Sequence, residues 1–255
     1  MNFVLLLYFY SMLMIGAFTK RAKIIGGQEI DVRNAPYQAA IVFPHINTVI
    51  CGGSIITNKH ILTAAHCLYE RDMHYEMLRI YVGISNLMTD IPSKFKIYNV
   101  YIHPRFTGEM TKYAMNLNDI AVVMIQGTII FNEFQNKINL PKSNYRAGWR
   151  GLVSGWGMTY YGTENDNTVL RGAFVDIIEM SHCLNHYTFV LYNEQLCTLQ
   201  GEGIGICTGD SGGPLIYNNE IIGIVSCNMP CAKGKPDIHT NVFSYLHFIE
   251  FVINK

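Results

Sequence analysis

The sequence predicts an all-β chain of the antiparallel barrel or sandwich class, closed by one helix. Three observations predict it. Past residue 23 the apolar residues come in short runs, many β-branched or aromatic, broken by Gly, Asn and Pro every ten to twenty residues. No helical segments alternate with those runs, as a parallel sheet would need. Helical periodicity shows clearly only at the end of the chain. The 255 residues, 49% apolar and 15% charged, exclude a disordered tail and suffice for one large or two small β domains.

The first segment stands apart from that fold. Phe3 to Phe18 is apolar except for Ser11 and stops at Thr19-Lys20-Arg21. Its length suits the roughly 7–15-residue core of a secretory signal better than the roughly 20 residues of a membrane span. A cleaved signal peptide over residues 1–17, ending at the small pair Gly16-Ala17, is therefore expected. A retained anchor is the alternative, because residues 1–2 place only the α-amino charge ahead of the apolar run. No later run is long and apolar enough to span. Secretion leads to an oxidising compartment, where disulfides are the default for the seven cysteines, and an odd number leaves a thiol over.

The candidate strands are, in order, 38–43, 53–56, 78–82, 95–102, 120–125, 151–154, 173–178, 214–217 and 221–226. Apolar density thins around Phe131–Asn144, where Pro141 interrupts, which marks a join between two halves. Val242, Tyr245, Leu246, Ile249, Val252 and Ile253 share one face of a helix. Lys+Arg and Asp+Glu balance at 19 each, so no basic field points to nucleic acid. Lys20, Arg21 and Lys23 are the cations of residues 1–23, which hold no acid; without them the charge is mildly negative.

Three motifs carry chemistry. Thr63-Ala64-Ala65-His66-Cys67 sets a histidine among small residues at a turn of helix. Asn118-Asp119-Ile120-Ala121 puts an acid at the mouth of an apolar strand. Gly209-Asp210-Ser211-Gly212-Gly213-Pro214 holds a serine in a glycine-rich turn. A serine hydroxyl attacks well only when a base takes its proton, and an imidazole with an ordinary pKa of about 6.5 suits that role. Asp119 would fix the imidazole tautomer and stabilise the imidazolium. The glycines let the amides of Gly209 and Ser211 converge as an oxyanion hole. Singly, a histidine or a strand-end acid is an ordinary structural residue. The six-residue serine motif is far rarer by chance, and together, in the order His, Asp, Ser, the three outweigh the ordinary readings.

These motifs resemble the chymotrypsin-like (trypsin-fold) serine endopeptidases, from Ile24 to the C-terminus. The resemblance implies two six-stranded antiparallel β-barrels, 24–132 with His66 and Asp119 and 133–255 with Ser211 and the C-terminal helix. Ile24-Ile25-Gly26-Gly27 resembles the family's N-terminus after zymogen cleavage. That implies a propeptide over 18–23, a cut after Lys23 by an activating protease, and an ion pair between the freed Ile24 amine and Asp210. Gly155-Trp156-Gly157 resembles the family's second-barrel marker. Ser226 matches the serine that hydrogen-bonds the triad aspartate. Family spacing implies the disulfides Cys51–Cys67, Cys183–Cys197 and Cys207–Cys231. Cys227 is then left over, where most relatives have a tryptophan beside the substrate; its competition with Cys231 for Cys207 stays open.

The implied substrate pocket departs from the family's pattern. Gly205 stands where trypsin-like enzymes carry the aspartate that selects Lys and Arg. Asp237 falls on a pocket wall, and Asn228 at the entrance, where glycines are usual. A carboxylate there must meet a cation, keep water or titrate upward; the alternative is that Asp237 caps a turn at the rim. His182 and His186 lack a third metal ligand, and 84–92 offers only Asp90 to a calcium ion, so neither metal nor cofactor is expected. The expected protein is a secreted, monomeric endopeptidase acting on polypeptides, with neither nucleic acid nor a stable membrane anchor as partner. The alternative is a protease homologue serving as a secreted binding or regulatory module.

Overall fold

The computed structural model describes residues 24, 26–69, 72–158, 167–227 and 231–255. The expected leader up to Lys23 lies outside the described residues, as does Asn228. A two-residue strand, β1 (Gln28–Glu29), precedes a closed antiparallel barrel. That barrel comprises β2 (Gln38–Phe43), β3 (Thr48–Ile55), β4 (His60–Thr63), β5 (Arg79–Val82), β6 (Ser93–Ile102) and β7 (Ala121–Ile125). They close in the order β2-β3-β4-β7-β6-β5. Five of the six β2 residues are buried, and small Ala39 and Ala40 let its two neighbours approach. β6 instead begins by alternating half-buried and exposed residues, since only one face looks inward.

The second barrel comprises β8 (Arg150–Gly155), β9 (Arg171–Ile178), β10 (Gln195–Leu199), β11 (Pro214–Tyr217), β12 (Glu220–Cys227) and β13 (Asp237–Asn241). Its order is β9-β10-β13-β12-β11-β8, and β8 pairs back onto β9 from Arg150↔Asp176 to Gly155↔Arg171, closing the ring. β1 attaches at the start of β9. Residues 131–144 lie in the connection between β7 and β8. The chain is thus two six-stranded antiparallel barrels, the fold that the resemblance implied.

A short helix, α1 (Met180–Leu184), precedes β10. The chain ends in a 3-10 turn (Val242–Tyr245) and α2 (Leu246–Ile253). Val242, Tyr245, Ile249 and Val252 pack into the same core as the first barrel, so the end of the second half clamps the first. His103 lies edge-on between Tyr245 and Phe248, 5.1 and 5.0 Å between centroids.

Three disulfides fasten this frame. Cys51–Cys67 ties β3 to the turn after β4, Cys183–Cys197 ties α1 to β10, and Cys207 joins Cys231. Their Cα separations of 6.1, 6.2 and 4.9 Å fall within ordinary disulfide geometry. Each closure is worth about 2–4 kcal/mol, largely by restricting the unfolded chain. Cys227 stands outside all three, which settles the competition for Cys207 in favour of Cys231.

Candidate active site

The site grows from a buried acid between the barrels. Asn118 adopts φ +62°, a left-handed turn that asparagine tolerates, and its amide and carbonyl groups are fixed by the Arg105 carbonyl and the Tyr245 hydroxyl. The turn delivers Asp119, fully buried, to the start of β7. A carboxylate there needs donors. His66 supplies two: its backbone amide donates to Oδ1 at 2.8 Å, and Nδ1 lies 2.7 Å from Oδ2. The Ser226 hydroxyl adds a third at 2.6 Å. Ser226 is aimed by a bulge, since Val225 and Cys227 oppose the adjacent residues His239 and Ile238 and leave it between them. Thr240 donates its hydroxyl to the Asp119 carbonyl at 2.7 Å. With Nδ1–H directed at Asp119, the neutral His66 ring presents Nε2 as an acceptor.

Ser211 comes from the other barrel. Gly209 and Gly212 have φ of +97° and +75°. At Gly212 a Cβ would lie 2.2 Å from the Thr63 hydroxyl and 2.7 Å from the Gly52 carbonyl, so only glycine lets the serine turn press against the first barrel. The Gly52 amide donates to the Ser211 carbonyl at 2.7 Å, fastening that contact. Among the described residues, the Gly209 and Ser211 amides donate to no protein acceptor.

The intervening Asp210 points into the second barrel. The amides of Gly157 and Cys207 donate to its two oxygens, each at 2.9 Å. A Cβ at Gly155 or Gly157 would lie within 2.4 Å of the Asp210 carboxyl, so the Gly-Trp-Gly motif is the space this acid occupies. Burial pushes Asp210 up to about 6 despite the two amides. Ile24 is fully buried in the second core beside Ile206 and Val153, and Gly26, at φ +79°, passes too close to Gly203 and Ile204 to bear a side chain.

His66 and Ser211 share the wall of a cavity of about 400 Å³, together with Thr208, Val225, Ser226 and Cys227. Tyr69, Phe106, Met110 and Asn116 also line it, residues that no sequence motif marks. The only signal for Tyr69 and Phe106 is their aromatic character; they pack edge to face at 5.2 Å. Cys51, His66 and Cys67 bring ligand atoms within 4.8 Å of one another, but two of these are a disulfide and offer no thiolate to a metal.

The match to known proteins follows this geometry. The family model described as trypsin matches residues 24–249. The chain belongs to the trypsin family. It is 31% identical over 229 residues to chymotrypsin-2 of Vespa crabro, covering 89% of this chain and 98% of that one. It is 31% identical over 233 residues to trypsin V-B of Rattus norvegicus, covering 89% and 88%. Neuropsin, a serine protease expressed in the limbic system of mouse brain, superposes with a TM-score of 0.80 at 25% identity, over 89% of this chain and 98% of that one.

In this trypsin-family serine protease the expected pocket residues separate. Ser226 and Cys227 line the cavity, whereas Gly205 and Asp237 do not. Asp237 is only 6% exposed, and its Oδ2 accepts the Ile206 amide at 3.1 Å. It opens β13 as a buried strand residue rather than capping a turn at the rim. The same Oδ2 lies 3.0 Å from where a Cβ on Gly205 would stand, so the acid takes up space that the missing side chain leaves. Burial first, and the charge of Asp210 in addition, push Asp237 up to about 8. Burial likewise pushes the Cys227 thiol up to about 11, with Asp119 and Asp237 adding to it, so it stays protonated near neutral pH.

The Asp237 proton has a consequence for stability. The unfolded carboxyl ionises near 3.8 and the folded one near 8, so the folded chain holds an extra proton between them. Stability attributable to this group therefore falls as pH rises through that window. Asp237→Asn is expected to raise Tm relative to wild type by about 5–10 °C more at pH 8.5 than at pH 4.5. Thermal melts of both proteins across pH check this; parallel curves would contradict it.

Proposed function

We propose that this chain is a secreted serine endopeptidase, made as a zymogen and cut after Lys23, that hydrolyses polypeptides through an acyl-Ser211 intermediate. Residues 1–17 are its signal peptide, 18–23 its propeptide, and 24–132 and 133–255 its two domains. His66 takes the Ser211 proton as the hydroxyl attacks the substrate carbonyl, then returns it to the leaving amine. Asp119 keeps Nε2 facing the serine and stabilises the imidazolium. The Gly209 and Ser211 amides receive the oxyanion. The observation that carries this reading is the fully buried Asp119 holding His66 through Nδ1 at 2.7 Å, with His66 and Ser211 on one cavity.

Gly205, Ser226, Cys227, Asn228 and Asp237 shape the substrate site. On this reading Gly205 leaves the pocket floor without charge, Asp237 supplies negative charge from the wall although it does not line the cavity shared by His66 and Ser211, and Asn228 narrows the entrance. The pocket tolerates Lys, Arg and small polar side chains above Phe and Tyr. A large ring would strip water from the carboxyl without pairing it. Cys227 offers no aromatic ledge, so neighbouring substrate residues matter less than in tryptophan-bearing relatives.

The experiment is to cleave the chain after Lys23 and profile it on a randomised peptide library, with wild type compared against Asp237→Gly at pH 9. The variant is expected to lose cleavage after Lys and Arg by about 2–4 kcal/mol in transition-state stabilisation and to gain Ala and Leu. An unchanged profile would remove Asp237 from the pocket. A cleaved chain that hydrolyses none of the library would overturn the endopeptidase reading.

A further inference from the structure

His182 lies in α1 and His186 in the turn that follows it, four residues on. Their imidazole rings lie side by side, with centroids 5.6 Å apart and planes tilted by 35°. We propose that this pair is a surface binding site for one divalent transition metal ion, taking Cu²⁺ more tightly than Zn²⁺. The proposal is independent of the catalytic reading.

The pair differs from the engaged histidines of the fold. His60, His66, His103 and His239 each set a ring nitrogen within hydrogen-bonding distance of Thr57, Asp119, the Arg105 amide and Thr198 respectively. Neither the His182 nor the His186 imidazole has such a partner among the described residues, and one ring is exposed and the other half-buried. Each neutral ring therefore offers a nitrogen lone pair, and the two offer them to the same volume. An ion about 2.0–2.1 Å from two imidazole nitrogens holds them about 3.3–3.4 Å apart at the tetrahedral angle. Rings with centroids 5.6 Å apart reach that separation by turning their facing edges inward, a rotation about side-chain bonds alone.

The backbone under the pair is fastened. Cys183, next to His182, is fully buried and bonded to Cys197 of β10. The amides of Cys183, Asn185 and His186 donate to the carbonyls of Glu179, His182 and Cys183 at 3.1, 3.2 and 3.0 Å. The next residue, Tyr187, stacks on Phe189 at 4.6 Å and donates its hydroxyl to the Pro236 carbonyl. Binding therefore orders little beyond two side chains. The chain supplies two ligands and water completes the shell, which makes this an exchangeable surface ion rather than a resident cofactor. Imidazole suits copper, nickel and zinc, and a given nitrogen set holds Cu²⁺ tightest. Ca²⁺ and Mg²⁺ take oxygen ligands and are not expected there. Neither histidine lines the cavity shared by His66 and Ser211, so the ion sits apart from the chemistry.

The test titrates Cu²⁺ calorimetrically into the full chain at pH 7.5, in a buffer that does not bind metals. Wild type is compared with His182→Ala, His186→Ala and the double variant. With one imidazole removed the second contact is no longer intramolecular, so each single variant is expected to lose about 10²-fold in Cu²⁺ affinity. The electron paramagnetic resonance spectrum of Cu²⁺ on wild type is expected to show coupling to two imidazole nitrogens, and on each single variant to one. At free Zn²⁺ ten times its Kd, the wild-type Tm is expected to rise by about 3–6 °C, and that of the double variant to stay where it was. His182→Gln and His186→Gln, which keep most of the side-chain volume, are expected to lose Cu²⁺ as the alanine variants do, which separates lost ligation from altered packing. Equal Cu²⁺ affinity in wild type and the double variant would place the ion on other groups and overturn the proposal, as would wild type that binds no Cu²⁺.

Discussion

Replacing Ser211 by Ala in the cleaved protein is expected to lower kcat by about 10⁶-fold, about 8 kcal/mol of barrier. His66→Ala is expected to cost nearly as much, and the double variant little more than either. The reason is mechanical. On the proposed mechanism the Ser211 hydroxyl is a nucleophile only while His66 removes its proton, and the base has nothing to do without the hydroxyl. Asp119→Asn is expected to be milder, about 10⁴-fold, because the amide still fills the buried slot but turns the wrong ring nitrogen towards the serine. Steady-state kinetics on one peptide ester and one amide would check all four proteins. Additive losses, or a Ser211→Ala protein with most of its amidase activity, would contradict the assignment.

The second large effect concerns activation. In the uncut chain Asp210 is buried with two backbone amides and no ion pair among the described residues. A buried acid lacking its cation is destabilising by about 3–5 kcal/mol. If the Ile24 amine supplies that cation, the uncut chain should be about 10²–10³-fold less active than the cut one. Lys23→Gln should hold it there. The pH dependence has a definite sign. Pairing raises the amine above its free value of about 7.7–8.0, so the active form is fully favoured below that value. It is lost as pH rises through the raised one. Activity of wild type before and after cleavage, and of Lys23→Gln, measured from pH 6 to 11, checks both claims. Full activity before cleavage would sink the zymogen reading.

What was legible in the sequence was what depends on neighbours in the chain. The serine turn needs Gly209 and Gly212 for backbone reasons, and Gly155 and Gly157 for the volume of Asp210, so those glycines sit in fixed local patterns. Nine apolar runs announced nine strands, and the periodic face of the last helix is the face that packs. β1, β4, β10 and β13 were not legible. β13 reads Asp-Ile-His-Thr-Asn, yet all five residues are buried. Two of its side chains find distant partners, Thr240 the Asp119 carbonyl, 121 residues away, and His239 the Thr198 hydroxyl, 41 away, while His239 Nδ1 and Asn241 Oδ1 are buried without a partner among the described residues. No local pattern encodes such pairings. The pocket was half legible. Gly205 and Asp237 were singled out only by the resemblance to the family. That the two meet, with Oδ2 against the bare Gly205 backbone, follows only from the packing of β13 against the segment before the serine turn. The cavity wall of Tyr69, Phe106 and Met110 had no sequence signal beyond apolarity.

The central claim is that Ser211 becomes a nucleophile when His66 and Asp119 act on it in the cleaved chain. The most direct measurement is active-site labelling with a fluorophosphonate, read by intact mass and by peptide mapping. The account predicts one label per chain, on Ser211, formed after cleavage at Lys23 and abolished in His66→Ala. Absence of label in the cleaved wild-type protein, or label on another residue, would contradict it.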